Sequence, residues 1–136
     1  MEIFLIRHTT PDIQKGTCYG QADLDVVSSF GEEASCIRQH LPPDIEMVYS
    51  SPLKRCRQLA ESLFPNHAIQ FDDRLKEINC GAWELKLWDS IEQEALKAWM
   101  SDFVNVVIPE GESYTDLFTR TTTFFKELPQ QYERIA

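Results

Sequence analysis

An α/β fold with a mostly parallel sheet is predicted by three features of the sequence. Short apolar runs rich in β-formers alternate with longer segments whose apolar residues recur at helical spacing. Prolines close the helical segments, at Pro42-Pro43, Pro65 and Pro129. The strand–helix–strand–helix order also calls for crossover connections, which are right-handed and lay the strands parallel.

The elements follow in order. Ile3-Phe4-Leu5-Ile6 is too short for a helix and reads as a strand buried on both faces. It stops at Arg7-His8, and Thr9-Thr10-Pro11 ends it. Asp12 to Val27 reads as a loop that walls a pocket. A helix starts at Ser29, with Glu32 completing a capping box and Phe30, Ala34, Ile37 and Leu41 as its buried stripe. Glu46–Tyr49 is the second strand. Ser51 is then an N-cap and Pro52 a first helical residue. The helix that follows buries Leu53, Cys56, Leu59, Ala60, Leu63 and Phe64, and its spacing puts Lys54, Arg55, Arg57 and Glu61 off that face. Ala68–Phe71 is a short edge strand, and Asp72–Glu84 a loop. A helix over Ser90–Phe103 has Ile91, Ala95 and Trp99, with Phe103 at its end, as its buried stripe. The last helix, Glu112–Glu127, carries a stripe of Tyr114, Leu117, Phe118, Thr121, Phe125 and Leu128.

With 136 residues, the chain has the length of one domain with a sizeable core. Its 43% hydrophobic and 26% charged residues are those of a soluble globular protein. A net charge of -9 argues against generic binding to nucleic acid or an acidic membrane surface, while leaving room for a local Arg cluster that attracts a small anion. The four cysteines form no C-x-x-C pair and no zinc-like cluster. They read as free thiols, which predicts a reducing, cytoplasmic location and no metal site. The only apolar run at the N-terminus is four residues long, so neither a signal peptide nor a membrane span is expected. The exposed-Trp candidate Trp88 does not decide whether the chain forms a homo-oligomer.

Three positions carry candidate chemistry. Arg7 and His8 meet solvent where a buried strand ends, which is where ligands bind in open α/β sheets. Arg offers a fork of donors suited to phosphate, and His a nucleophile or proton carrier. Arg55 lies in a first helical turn, where free N–H groups welcome an anion; a cation there opposes the helix dipole and suggests a ligand. Glu77 lies among Ile78, Ala82 and Trp83, an apolar setting that could raise its pKa and let it carry a proton. Each is weak alone, and solvated charge is the competing reading for all of them.

Taken together, four stretches resemble the histidine phosphatase (phosphoglycerate-mutase-like) superfamily. They are Leu5-Ile6-Arg7-His8, then Ser51-Pro52-Leu53-Lys54-Arg55 with Ala60-Glu61. Leu75-Lys76-Glu77-Ile78 with Gly81-Ala82-Trp83-Glu84 is the third, and Gly111-Glu112-Ser113 with Arg120 downstream the fourth. The resemblance implies a three-layer α/β/α fold with a mostly parallel sheet, one domain over residues 1–136 that is incomplete at its C-terminus, and phosphoryl transfer without a metal or other cofactor. In that scheme His8 attacks phosphorus, Arg7 and Arg55 bind the phosphoryl oxygens, and Glu77 protonates the leaving alkoxide and then activates water.

Arg7-His8-Thr9-Thr10-Pro11, with Thr17-Cys18-Tyr19-Gly20, is similar to the α-ribazole phosphatase branch, in which a 5′-phosphate is removed during cobalamin assembly. That likeness implies that Thr9, Tyr19, Gly20 and Gln21 border a small phosphorylated substrate. The sequence departs from the family at Cys80, where an aromatic residue is usual, and at Leu85, where Gly is usual. It also has no Thr-His-Gly-like turn with the family's second histidine. His40 and His67 read as surface or structural residues. The opening strand is therefore expected to lack a neighbour. A broad-specificity phosphatase, a non-catalytic phosphate-binding protein and a mutase are the competing readings.

Overall fold

A computed structural model describes all of residues 1–136. It contains β1 (Glu2–Ile3), α1 (Phe30–Arg38), β2 (Val48–Ser50), α2 (Lys54–Leu63), β3 (Ile69–Phe71), α3 (Gln93–Ser101), α4 (Tyr114–Lys126) and β4 (Arg134–Ile135). Short 3₁₀ turns occupy Asp73–Leu75, Gly81–Trp83 and Trp88–Ser90. The strands pair in parallel, β1 with β4 and β2 with β3, so the α/β class predicted by the alternation is the one observed. The chain folds as two compact units: residues 1–12, 23–75 and 128–136 form the first, and residues 13–22 and 76–127 the second.

The first unit contains every strand. A parallel bridge joins Met47 to Ile135, and Tyr49 N–H donates to the Ala136 carbonyl at 2.8 Å, giving the order β1-β4-β2-β3. Residues 134–135 thus supply the neighbour that the opening strand was expected to lack. Glu2 N–H donates to the Glu133 carbonyl at 2.7 Å and Phe4 N–H to the Ile135 carbonyl at 2.9 Å. Only one face of the opening run is covered. Phe4 and Ile6 pack on the aliphatic core of Ala34, Ile45, Val48, Leu59, Leu63 and Phe64, whereas Ile3 is exposed and Leu5 is 80% exposed. The period of two, not burial on both faces, governs this segment.

The helix ends of this unit differ from the sequence expectation in their chemistry. At Ser29 the hydroxyl donates to Glu33 Oε1 at 2.7 Å and makes no capping bond, so Glu33 takes the place assigned to Glu32. Glu33 also accepts Thr10 N–H at 2.9 Å, which ties the end of the Arg7–Thr10 segment to α1. α2 begins at Lys54 because Pro52 holds the residue before it out of the helical region and Leu53 is still extended (φ -60°, ψ 138°). Its Lys54 N–H is taken by Asp23 Oδ1 at 2.6 Å, a cap from a distant loop. β3 lies at the edge of the sheet, as its length suggested.

The second unit is held by a different core, made of Cys18, Cys80, Trp83, Ile91 and Ile108, with Ala95 and Trp99 packed against it. α3 is shorter than predicted, with Glu92 accepting the Glu94 and Ala95 N–H groups as its cap. Of the predicted stripe, Ile91 is buried just before the helix, Ala95 and Trp99 are half-buried and Phe103 is exposed. α4 starts from a capping box between Ser113 and Asp116. Its predicted stripe is covered only in part: Leu128 is buried and Leu117, Thr121 and Phe125 are half-buried, whereas Tyr114 and Phe118 are exposed and Phe124, outside the stripe, is the buried residue of the helix. Successive phenylalanines at Phe124 and Phe125 made the spacing ambiguous, and packing selects Phe124. No helix is long and apolar enough to cross a membrane.

Candidate functional site

The sequence-predicted residues fall into two groups, one in each unit. The first unit holds Arg7, His8, Thr9 and Arg55; the second holds Tyr19, Gly20, Gln21 and Glu77.

In the first unit, Arg7 and His8 follow β1, and Arg55 follows β2. β1 and β2 run parallel on either side of β4, so both segments leave the sheet at its carboxyl end. Arg7 is exposed and His8 half-buried. His8 Nδ1 lies 2.7 Å from the Thr9 carbonyl. A carbonyl only accepts, so Nδ1 carries a hydrogen in this contact. The Thr9 Oγ1 hydroxyl is buried and makes no hydrogen bond. Arg55, placed off the apolar face by helical spacing, is instead fully buried, at 0% exposure. An always-charged side chain with that burial sits in the first turn of α2.

In the second unit, one carboxylate organises the loop. Glu84 accepts N–H groups from Gly20 (3.0 Å), Gln21 (2.7 Å), Ala22 (3.3 Å) and Cys80 (3.1 Å). Gly20 is needed for this approach, since a Cβ there would lie 1.9 Å from the Ile78 carbonyl oxygen. Gln21 Nε2 donates to the Glu77 carbonyl at 3.0 Å, so the two predicted stretches meet. Tyr19 is half-buried. The Glu77 side chain does not have the apolar surroundings expected for it. It is exposed, with Oε1 accepting Ile78 N–H at 2.9 Å, while Trp83 is buried in the core of the unit.

A second carboxylate, Glu112, accepts Asn79 N–H at 2.8 Å and pairs with Arg120 at 2.8 Å. Burial pushes the Glu112 carboxyl up, but the hydrogen bonds from Arg120 and Asn79 prevail and hold it below its ordinary value. Cys18 and Cys80 are free, as expected. Their thiols hydrogen-bond, which lowers the Cys18 pKa against the effect of burial and raises that of Cys80, where burial adds to the rise. His40 is exposed, with Nδ1 on the Cys36 carbonyl (2.9 Å), and His67 Nε2 donates to the Ile45 carbonyl (2.8 Å), in keeping with surface and structural roles. Sequence reasoning assigned no role to Glu84, Glu112 or Arg120, although all three stand in the stretches that carry the resemblance.

A parallel α/β fold with a His-bearing strand end and a buried Arg opening the next helix is the pattern of a histidine phosphatase. Residues 3–136 match the Histidine phosphatase superfamily (branch 1), and the chain belongs to that superfamily. Among curated relatives it is 30% identical over 141 residues to "Probable phosphoglycerate mutase GpmB" of Escherichia coli O1:K1, covering 96% of this chain and 65% of the relative. The chain thus spans about two thirds of the length of the curated relatives it matches. Among solved structures, the alpha-ribazole phosphatase from Shigella flexneri superposes with a TM-score of 0.90 at 25% identity, over 99% of this chain and 71% of that one. TTHB049 from Thermus thermophilus superposes with a TM-score of 0.80 at 26% identity, over 99% and 76%.

Proposed function

We propose that the protein is a phosphomonoesterase that works through a phosphohistidine on His8, with α-ribazole 5′-phosphate as its substrate and the cytoplasm as its location. The observation that carries this reading is the fully buried Arg55 in the first turn of α2, at the same end of the parallel sheet as His8. A buried guanidinium at a helix N-terminus is a phosphate-binding arrangement. The buried Thr9 hydroxyl without a partner is a further group that a phosphoryl oxygen would satisfy.

In the proposed reaction, His8 Nε2 forms a bond to phosphorus as the ester P–O bond breaks. Glu77 in its acid form gives its proton to the leaving alkoxide. Arg7 and Arg55 stabilise the charge on the phosphoryl oxygens. Water then attacks phosphorus, Glu77 takes its proton back, and the N–P bond breaks to restore His8. Thr9, Tyr19, Gly20 and Gln21 border the substrate. The α-ribazole assignment is supported by the Shigella flexneri neighbour and by the Thr9-Thr10-Pro11 variant of the strand end.

The test is hydrolysis of p-nitrophenyl phosphate and α-ribazole 5′-phosphate in excess EDTA, with His8→Ala alongside. We expect turnover by the wild type, none by His8→Ala, and acid-labile phosphate on His8. Equal rates for the two proteins would sink the proposal. Phosphate that protects against thermal unfolding without any turnover would favour the non-catalytic reading. A mutase reading is favoured by the Escherichia coli relative's name, and interconversion of 3- and 2-phosphoglycerate would reveal it.

A further inference from the structure

The Gly111-Glu112-Ser113 stretch and Arg120 have no part in the reaction proposed above, yet the structure directs the polar groups of Glu112 and Arg120 at Lys76, Glu77 and Asn79. Arg120 Nη1 donates to the Lys76 carbonyl at 2.7 Å, and Nη2 to the Glu77 carbonyl at 2.9 Å. The same guanidinium grips Glu112 through Nε (2.8 Å) and Nη2 (3.0 Å). Glu112 in turn accepts Asn79 N–H with Oε2 (2.8 Å), and its own N–H donates to the Asn79 carbonyl (2.9 Å). The approach is close enough that a Cβ on Gly111 would lie 2.3 Å from the Asn79 carbonyl oxygen. The side chains of Arg120 and Glu112 are 18% and 21% exposed, too enclosed for an ordinary surface pair.

We propose that Arg120 and Glu112 are positioning residues for Glu77, fixing the backbone of Lys76–Asn79 so that the Glu77 carboxyl is held where it transfers its proton. The proposal rests on the reading of Glu77 as the acid and base. The physical case is one of tolerance. A proton donor has to be held within about 0.5 Å of its productive place. Glu77 is exposed and stands on a loop, so its own packing does not hold it. The fork of Arg120 supplies two fixed anchors on the carbonyls flanking the Glu77 Cα, and Glu112 fixes the segment two residues further on. Docking of α4 alone would not require four acceptors on one guanidinium, all directed at this segment and its clamp.

Leaving groups of different basicity test the idea. p-Nitrophenolate departs without a proton, whereas an alkoxide needs one. The readout is single-turnover formation of phosphohistidine from p-nitrophenyl phosphate and from glycerol 2-phosphate, in the full chain. General acid catalysis contributes about 10²–10⁴-fold, so Arg120→Met and Glu112→Gln should slow the alkyl ester by about 30-fold or more and the aryl ester by less than about 3-fold. Arg120→Lys, which keeps the charge but not the fork, should fall between them and the wild type. Asn79 amide exchange should quicken in Glu112→Gln while that of Trp83 and Phe124 is retained.

Equal slowing of both esters, or of neither, overturns the proposal. So does loss of amide protection throughout the second unit in every variant, Arg120→Lys included, because the pair would then be structural only. Glu77→Gln separates the two levels. If it slows both esters alike, or if the wild type forms no phosphohistidine, the parent reading fails. If it shows the leaving-group dependence and the Arg120 and Glu112 variants do not, only the positioning role fails.

Discussion

The two units reach order by different routes. The first is a parallel sheet with α1 and α2 over an apolar core, and the sheet's backbone groups pair strand to strand. The second has two helices and no strand, and N–H groups of its loop segments 18–22 and 78–84 are collected by the carboxylates Glu84 and Glu112. Buried N–H groups must find acceptors in either case. Where no strand or helix supplies them, a side chain has to. The lesson is that a loop can be as closely specified as a sheet, with single residues holding the specification.

Substitution of Glu84 tests that contrast most severely. Glu84→Ala leaves the N–H groups of Gly20, Gln21, Ala22 and Cys80 without their acceptor. We expect a loss of about 3 kcal/mol, the scale of removing a charged acceptor from part-buried donors. Chemical denaturation measures it, and amide exchange should show the loss in residues 18–22 and 78–84 ahead of β1–β4. A cost below about 0.5 kcal/mol, typical of a surface site, would mean that the Trp83 core alone holds the loops.

Acid offers a second, smaller comparison. The Glu112 carboxyl is held below its ordinary value in the folded protein, so its contribution is fully present above about pH 4.3 and is lost as pH falls through the folded value. Asp25, Glu33, Asp44 and Asp72 in the first unit are lowered too, chiefly by hydrogen bonds from Lys54, Ser29, Arg134 and Arg74. The sign is the same, but the Lys54–Asp25 pair is 46% and 53% exposed, against 18% and 21% for Arg120–Glu112. Salt should therefore weaken the acid dependence of the first unit more than that of the second. Exchange rates between pH 3 and 5, with and without 0.5 M (about a 4 Å screening length) salt, provide the measurement. Equal salt sensitivity would remove the distinction.

Periodicity and punctuation made the first unit legible. Apolar runs bounded by Pro42-Pro43 and Pro65 located its strands and helices, and the parallel order followed from their alternation. The neighbour of β1 escaped notice because Arg134-Ile135 is too short a run to register as a strand before its partner is known. At the candidate site, residue types pointed to Arg7, His8, Arg55 and Glu77, but environments could not be read. Helical spacing put Arg55 outside, since a charge is buried only for reasons that lie elsewhere in the fold. Glu84 and Glu112 bond to residues 64 and 33 positions away, and no local pattern encodes such a pairing.

Asp23 shows the same long-range logic inside the unit that holds the sheet. It caps Lys54 N–H from 31 residues away, while Ser51, the cap read from the sequence, only accepts Leu53 N–H at 3.3 Å. Asp23→Ala should cost about 1 kcal/mol, the usual worth of an N-cap, and Ser51→Ala less. Urea unfolding of both variants decides the order. The reverse order would restore the local cap and make the first unit wholly local in its helix starts.

The smallest effect has the opposite sign. Leu85 has φ 63°, a left-handed conformation that a leucine side chain disfavours, and it is 59% exposed. That geometry is the third position of a tight turn over Trp83–Lys86, closed by the Lys86 N–H on the Trp83 carbonyl at 3.1 Å after an extended Glu84 (φ -52°, ψ 129°), a position that favours glycine. The Glu84 carboxylate is fixed on one side, and the Leu85 N–H donates to the Cys18 carbonyl at 2.9 Å on the other. Leu85→Gly removes the Cβ clash and should stabilise the protein by about 1 kcal/mol in thermal or urea unfolding. Leu85→Ala keeps the Cβ and should give no such gain, which separates backbone strain from the loss of an exposed leucine. If glycine gives no gain, the clamp yields to the side chain and the loop is softer than its hydrogen bonds imply. If it does, the backbone at residue 85 is dictated by contacts from 18–22 and 78–84 against its own residue's preference. That is the strongest form of the contrast with the sheet, where local preference and tertiary pairing agree.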